Sequence, residues 1–442
     1  MDDVSLSPRK LYTQAYEPLI CAIAFSLPLY ILGTTLGGFD FTLLVVLVLV
    51  LDGLILLHGQ FVVQSTVAIA VFVGWCFLTA VGRHPPGSYL ASLLGFAAFL
   101  FPFCGPVPEH VRSRRVLRWL VYGLIVTFVF AAYEIGVNVV GATPLEELFP
   151  YGVLAEVRAG EYLGFRRVKA TFVEPARYAQ YLALVYAILD LAGRNGIEIR
   201  HRRLLLASIL VVLVSTLSLS GIIIIAGYFG ASFLLEARQW LTAPLRSERF
   251  WKMALFVWSP MIVGGWVLYG DVVTEVVQLF LGRLEEVVAV LRLGILTGSE
   301  GSRVQSTLVM FDYISNQDWM HVLMGEGYSN AEVWLRENFA FLGAERASFA
   351  RGDLHNMFST ITLSTGLVGL GLYAAFLVTI FRQKTRSVPL LFITVVFIIH
   401  FATGYLLYAR FWMMMLVAQI IFGRSPFQGH ADTDGGRSAD SD

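Results

Sequence analysis

From about Pro18 to Gly423 the chain repeats long apolar segments separated by short basic or polar turns, and one large break, Asp271 to Asn356, interrupts the pattern. Segments of this kind have few available fates. Each helical residue rises 1.5 Å, so about 20 apolar residues match the roughly 30 Å hydrocarbon core of a bilayer. The composition leaves the same solvent: 57% hydrophobic and 14% charged residues with a mean hydropathy of +0.69, against about 25% charged in soluble domains. The excess apolar surface has to face lipid.

Spans are expected at about 18–36, 40–57, 61–81, 88–105, 116–140, 176–192, 203–218, 219–235, 251–270, 357–381, 387–402 and 404–421. The run Leu204 to Leu235 is too long for one span, and Ser215, Thr216, Ser218, Ser220 and Gly221 supply a break within it. The last pair is separated only around Gly404, which leaves a re-entrant hairpin open as an alternative. The expected fold is therefore an all-α integral membrane protein of about 12 transmembrane helices, with a large, partly helical extracytoplasmic loop between helices 9 and 10. Its parts are 1–270, carrying helices 1–9 with an outer loop at about 141–175; 271–356, the large loop; 357–423, helices 10–12; and 424–442, a polar, aromatic-poor tail expected to be disordered and cytoplasmic.

Arg9 and Lys10, Arg112 to Arg118, Arg194 to Arg203, Arg238 to Lys252, Arg382 to Arg386 and Arg424 fall on one side if both termini are cytoplasmic, and the short loops opposite carry only Arg83. This asymmetry puts both long loops outside. The N-terminus begins acidic and no small-residue cleavage site follows the first apolar run, so the first helix is expected to be retained. Zero formal net charge and the lack of a basic stripe with interleaved aromatics set nucleic acid aside as a partner. Cys21, Cys76 and Cys104 have neither CxxC nor Cys/His spacing and read as small core hydrophobes.

The outer loops carry the candidate chemistry. Ahead of the sixth span, Arg166, Arg167 and Lys169 precede Glu174-Pro175-Ala-Arg177. Pro175 suits the first turn of a helix, which puts Arg177 beside unpaired N–H groups and the positive end of the helix dipole. Four cations there form a candidate phosphate or pyrophosphate site. The same cluster also reads as a solvated or headgroup-facing basic patch with Glu174 pairing Arg177.

In the large loop, apolar residues at 273, 276, 277, 280, 284, 287, 288 and 291 follow helical spacing and predict an amphipathic helix on the membrane or over the bundle. Ser302 is expected to cap a second helix with Arg303 in its first turn, and Ser329-x-x-Glu332 to open a third. His355 and Asn356 close the loop. A histidine, with a reference pKa of about 6.5, accepts protons near neutral pH, and Asn356 can orient it or a sugar hydroxyl; the alternative is a polar interfacial anchor.

Asp52, His400 and Arg410 lie within apolar spans, where ionisable groups are costly and tend to line functional cavities. They read either as a proton relay or as single residues satisfied by a neighbouring helix. No helix carries an aligned series of carboxylates, and no internal period marks the inverted repeats of a secondary transporter.

Over about 160–375 the chain resembles the O-antigen ligase and polymerase superfamily. The residues that carry the likeness are Lys169-Ala-Thr-Phe-Val-Glu-Pro-Ala-Arg-Tyr-Ala-Gln-Tyr-Leu-Ala-Leu, Leu217-Ser-Leu-Ser-Gly-Ile, Gly301-Ser-Arg303, Gly325-Glu-Gly327-Tyr, His355-Asn-Met-Phe and Gly366-Leu-Val-Gly-Leu-Gly, in that order. The resemblance implies a multi-pass enzyme of the bacterial plasma membrane that moves glycan from undecaprenyl pyrophosphate to a sugar hydroxyl on the outer face, with polymerase the first expectation and ligase the alternative. A polysaccharide transporter is the remaining reading of another class. The resemblance implies Arg177, Arg303 and His355 as catalytic, with Arg166, Arg167 and Lys169 toward substrate; Glu174 and Asn356 join the substrate-binding set from their positions beside Arg177 and His355, and no metal or cofactor is expected. The partners implied are the lipid-linked glycan, the bilayer, a chain-length regulator and a flippase.

Overall fold

The computed structural model describes residues 7–29, 33–36, 39–81, 87–141, 143, 161–162, 165–172, 174–240, 278, 298–339, 354, 356–383, 386–387, 389–402 and 409–423. The expected span 251–270, the stripe at 273–291 apart from 278, the tail 424–442 and His355 lie outside the described residues. What is described is helical, with three short antiparallel hairpins.

Helix α1 runs Pro8–Ser26 and carries Pro18 within it. Strands β1 (Gly33–Leu36) and β2 (Phe39–Thr42) pair antiparallel, and α2 follows at Leu43–His58. The first expected span, 18–36, is thus corrected: its helix lies about ten residues earlier and its last residues form a hairpin strand. The reason is local, since Pro8 suits a helix start and two β-branched threonines followed by Gly37-Gly38 are a hairpin signal.

Next come α3 (Val63–Val81), α4 (Gly87–Leu100), which tightens into a 3-10 turn over Phe101–Cys104, and α5 (Ser113–Val140). A two-residue hairpin, β3 (Glu161–Tyr162) with β4 (Phe165–Arg166), precedes α6 (Pro175–Arg194). The expected break within 204–235 is present: α7 (Arg202–Ser215) stops at Thr216 and α8 (Leu219–Trp240) restarts after Leu217, which has a φ of 47°. In the second long loop lie α9 (Gly298–Asn316), α10 (Trp319–Met324) and α11 (Tyr328–Phe339). The chain closes with α12 (Met357–Phe381), the hairpin of β5 (Arg382–Gln383) with β6 (Arg386–Ser387), α13 (Leu390–Ala402) and α14 (Ala409–Phe422).

Two expected helix caps in the large loop are also corrected. Ser329 does not open a helix, since α11 begins at Tyr328 and carries Ser329 and Glu332 inside it. Ser302 is not a cap, because α9 already begins at Gly298 and carries Ser302 and Arg303 inside it. Gly298 and Gly301 weaken a helix by only about 1 kcal/mol each, which packing by Val309 and Tyr313 further along α9 offsets.

Val63–Val81, Ser113–Val137 and Met357–Phe381 are long and apolar enough to cross a membrane, and Leu43–His58, Ser220–Leu235, Leu390–His400 and Ala409–Phe422 are shorter apolar helices. Helices α6 and α14 form the centre. Nearly every residue of α6 from Tyr178 to Ala192 is buried, and so is all of α14 from Arg410 to Phe422. A helix apolar on every side needs neighbours all round. Trp412 provides the hub, with Phe96, Phe103, Tyr373 and Phe376 within 5.5–6.4 Å between ring centres. A second, smaller core joins α9, α11 and α12 through Val309, Tyr313, Leu335 and Leu363, so the described part of the large loop is a folded body.

The two ends of the bundle differ. At one, Ser113 Oγ of α5 donates to Ile420 O of α14 (2.8 Å), Gln419 Nε2 to Ile380 O of α12 (2.6 Å), and Arg114 pairs with Glu198 (3.3 Å). This is the basic end. At the other end α6 and α12 begin, and the segment 167–172 packs down onto them.

Candidate functional site

Segment 167–172 is fixed by donors and acceptors from three directions. Arg167 Nε donates to Thr216 O (3.1 Å) and Val168 N to Ser215 O (3.3 Å), which gives partners to carbonyls left open where α7 breaks. Oε2 of the buried Glu134 on α5 accepts from both Lys169 N and Ala170 N at 2.7 Å. Thr171 Oγ1 donates to Pro28 O beyond α1. Ala170 takes a φ of 49°, so the segment turns sharply and delivers Phe172 to the start of α6. Phe172 packs against Tyr178 and Tyr181, each 5.2 Å between ring centres.

Helix α6 starts as expected, at Pro175, with Glu174 as its extended N-cap residue. Arg177 is in that first turn and its Nε lies 3.5 Å from Glu174 Oε2. Arg177, Gln180, Tyr181 and Leu184 share one face of α6 by i, i+3/i+4 spacing. That face lines a narrow cavity of about 30 Å³, closed opposite by Met357, Ile399, His400, Arg410 and Met414. Arg410, 5% exposed, stands over the Phe172 ring at 5.4 Å from its centre. Two guanidinium-bearing side chains therefore line one apolar cavity, one from each central helix.

His400 is held in place by two contacts. Its Nδ1 is 2.6 Å from Val396 O, a pure acceptor, so Nδ1 carries a proton and donates. Nε2 lies 2.5 Å from Tyr373 Oη, in hydrogen-bond contact. In this arrangement His400 is a fixed wall, satisfied by its own helix and by α12, which is one of the two readings its depth in the sequence allowed.

The start of α12 is tied to α9. Asn356 Oδ1 accepts from Phe358 N (2.9 Å) and Ser359 N (3.2 Å) as an N-cap, while its Nδ2 donates to Thr307 Oγ1 of α9 (2.8 Å). Thr307 is one helical turn beyond Arg303, so the backbone of α9 brings Arg303's position to the same corner as Asn356 and the cavity residue Met357. Of Arg303 and Arg166 the backbone alone is described, and His355 lies outside the described residues. Lys169 is fully buried beneath the segment rather than in the cavity wall.

A second feature joins two motifs that sequence left apart. Helix α12 is broken at Gly366, which has a φ of 68° and ψ of −174°. The carbonyls freed there find donors: Glu326 N reaches Leu363 O (2.7 Å), Gly327 N reaches Ser364 O (3.0 Å) and Trp75 Nε1 reaches Thr365 O (2.9 Å). Backbones cross closely enough that a Cβ on Gly366 would collide with Leu323 O, and one on Gly325 with Thr365 N and Gly366 N. Tyr313 Oη donates to His321 O (2.8 Å), with Glu326 Oε1 at 3.1 Å. Gly325-Glu-Gly327 is thus the plug of the break in α12.

The sequence did not join Arg410 to Arg177, nor find Gln180, Tyr181 and Phe172. A signal existed in the polar spacing 177, 180, 181 within a segment otherwise expected to be apolar. Among the described residues no group of His, Cys, Asp and Glu is spaced to hold a metal ion, and Cys21, Cys76 and Cys104 are free and buried. No protein-family model matches the chain, and no curated protein matches it.

Proposed function

We propose that this chain is a membrane glycosyltransferase of the O-antigen polymerase and ligase kind, which transfers glycan from an undecaprenyl-pyrophosphate donor to a sugar hydroxyl on the outer face of a bacterial plasma membrane. The observation that carries the reading is the amphiphilic cavity: Arg177 and Arg410 line it together with Leu184, Met357, Ile399 and Met414. A lipid-linked pyrophosphate has the matching halves, a multiply charged anion joined to a hydrocarbon chain.

In the proposed reaction the acceptor hydroxyl oxygen forms a bond to the anomeric carbon as the bond from that carbon to the pyrophosphate oxygen breaks, with inversion. The electron pair leaves with undecaprenyl pyrophosphate, and arginines in a dry site stabilise the growing charge. The hydroxyl proton goes to His355, assigned from its sequence position, and Arg303 assists from α9. The tie from Asn356 to Thr307 supports a common corner for these two elements. Polymerase is the first reading and ligase the alternative, since both use this donor and differ in the acceptor.

The test is deletion of the gene, with the lipid-linked and surface glycans sized by gel and mass spectrometry, and complementation by wild type, His355→Ala or Arg303→Ala at equal protein level. Single repeats accumulating after deletion identify a polymerase; long lipid-linked chains that never reach a final acceptor identify a ligase. An unchanged profile, or full rescue by both variants, overturns the assignment and favours a transporter.

A further inference from the structure

The basic end of the bundle carries a second cavity, which the proposed transfer does not use. It is an open cleft of about 510 Å³ between the start of α5 and the turn from α6 to α7, lined by Arg114, Gly193, Gly196, Glu198, Arg200 and Arg202 among others. Three arginines face one carboxylate there. Glu198 is 84% exposed at its side chain and 3.3 Å from Arg114, an ion pair that solvent screens.

Arg202 gives the cavity a fixed wall. Its Nη2 donates to Asp190 Oδ1 (2.5 Å) and Asp190 O (3.0 Å), and Asp190 is held in turn by Arg194 Nε (2.7 Å) and Tyr228 Oη (2.6 Å). Gly193 makes this possible, because a Cβ there would run into the Arg202 guanidinium. The Arg202 Nε is buried and has no hydrogen-bond partner among the described residues. Arg114 and Arg200 are exposed, Arg114 paired with Glu198 and Arg200 Nε donating to His201 Nε2 (3.1 Å), both contacts that water screens.

The two helices that begin at this cavity also carry exposed apolar side chains. On α5, Trp119 and Tyr122 are exposed, and on α7, Leu204 and Val211. Aromatic side chains of this kind favour headgroup level. The surface therefore offers an anion site at the end of two helices and a hydrocarbon-compatible wall below it.

We propose that this cavity binds the headgroup phosphate of an anionic glycerophospholipid, with the acyl chains lying against α5 and α7. Basic pockets between helices at the membrane surface are suited to such headgroups, and each nearby arginine strengthens the attraction. The phosphodiester oxygens take the donors of Arg114 and Arg200 in place of Glu198 and His201, with Arg202, fixed by Asp190, forming the wall beside them. This inference rests on membrane residence alone and is independent of the glycosyltransferase reading.

The test is native mass spectrometry of the full chain purified in a neutral detergent, titrated with phosphatidylglycerol or phosphatidylethanolamine. Wild type is expected to retain phosphatidylglycerol about tenfold better, and Arg114→Gln/Arg200→Gln to lose about tenfold of that retention while keeping its weak hold on phosphatidylethanolamine. Arg200→Gln alone, an exposed position, is expected to lose about threefold and serves if the double variant does not fold. Equal retention of the two lipids, or variants that match wild type, would overturn the proposal. Displacement of phosphatidylglycerol by excess inorganic phosphate alone would overturn the lipid assignment in favour of a soluble anion.

Discussion

Arg410 sits where a cation is expensive, almost fully buried at the start of a helix buried along its length, and the Phe172 face offsets part of that cost. In the proposed donor site its replacement has a defined outcome. Arg410→Met should lower transfer from a lipid-pyrophosphate donor by about 10- to 100-fold, the worth of one charge-assisted hydrogen bond, with Arg410→Lys recovering part of it. Turnover in proteoliposomes at matched protein level checks this, and an unchanged rate removes Arg410 from the site. Gly366 gives a contrasting test of the fold. Gly366→Ala adds a left-handed penalty to a backbone collision and should cost about 2–5 kcal/mol, whereas Gly371→Ala, with nothing within 4 Å, should change stability by no more than about 1 kcal/mol. Denaturant unfolding in detergent separates them. Gly366 and Gly325 were visible in the sequence as separate glycine motifs. Their pairing was not, because a contact between two backbones leaves no side-chain pattern to read.

At the level of elements, the start of α6 was legible because Pro175 and its neighbours specify it locally, and the break between α7 and α8 was legible because small polar residues interrupt an apolar run. The start of α1 and the β1–β2 hairpin were missed where hydropathy was averaged across local turn chemistry. The short helix α10 was also missed, although Asp318 is a good N-cap and accepts from Met320 N (3.0 Å) and His321 N (3.2 Å). The Asp318 carboxyl is held below the usual range by the His321 side chain first and then by the backbone N–H groups of His321 and Met320. A carboxyl depressed in the folded state contributes stability that is complete above the ordinary carboxylate range and is lost as pH falls below about 4. After correction for intrinsic exchange, amide protection at Met320 and His321 should therefore fall between pH 6 and 3, and Asp318→Asn should abolish that dependence. Flat protection across the range would remove the cap from the account. At the far end of α6, Asp190→Ala would remove the carboxylate shared by Arg194, Arg202 and Tyr228 and should cost about 1–3 kcal/mol, read by the same unfolding assay.

For the whole molecule, of the basic turns that the sequence assigned to one side, the described parts of those at 112–118, 194–203 and 382–386 lie at one end, through the contacts of Arg114, Ser113 and Gln419, while Arg424 and most of 238–252 lie outside the described residues. Sidedness is testable by cysteine labelling, helped by the burial of Cys21, Cys76 and Cys104. A cysteine at Trp319, 69% exposed, should react with a membrane-impermeant maleimide in intact cells, and one at Glu198 only after lysis; the reverse result would invert the proposed topology. The amphipathic and catalytic expectations at 273–291 and His355 concern residues outside the described part, so that portion of the site rests on sequence alone.

The plug in α12 also bears on how such a chain is assembled. Its donors, Glu326 N and Gly327 N, precede Leu363 and Ser364 in synthesis, so the segment that seals the break is already made when the broken helix emerges. A helix with open carbonyls is a poor candidate for release into lipid, and here the partner is supplied from the chain just ahead of it. Biogenesis thus has an order: fold the plug, then admit the helix. Gly366→Ala should then pass the translocon and label with normal sidedness, yet be cleared by membrane proteases faster than wild type in a pulse-chase.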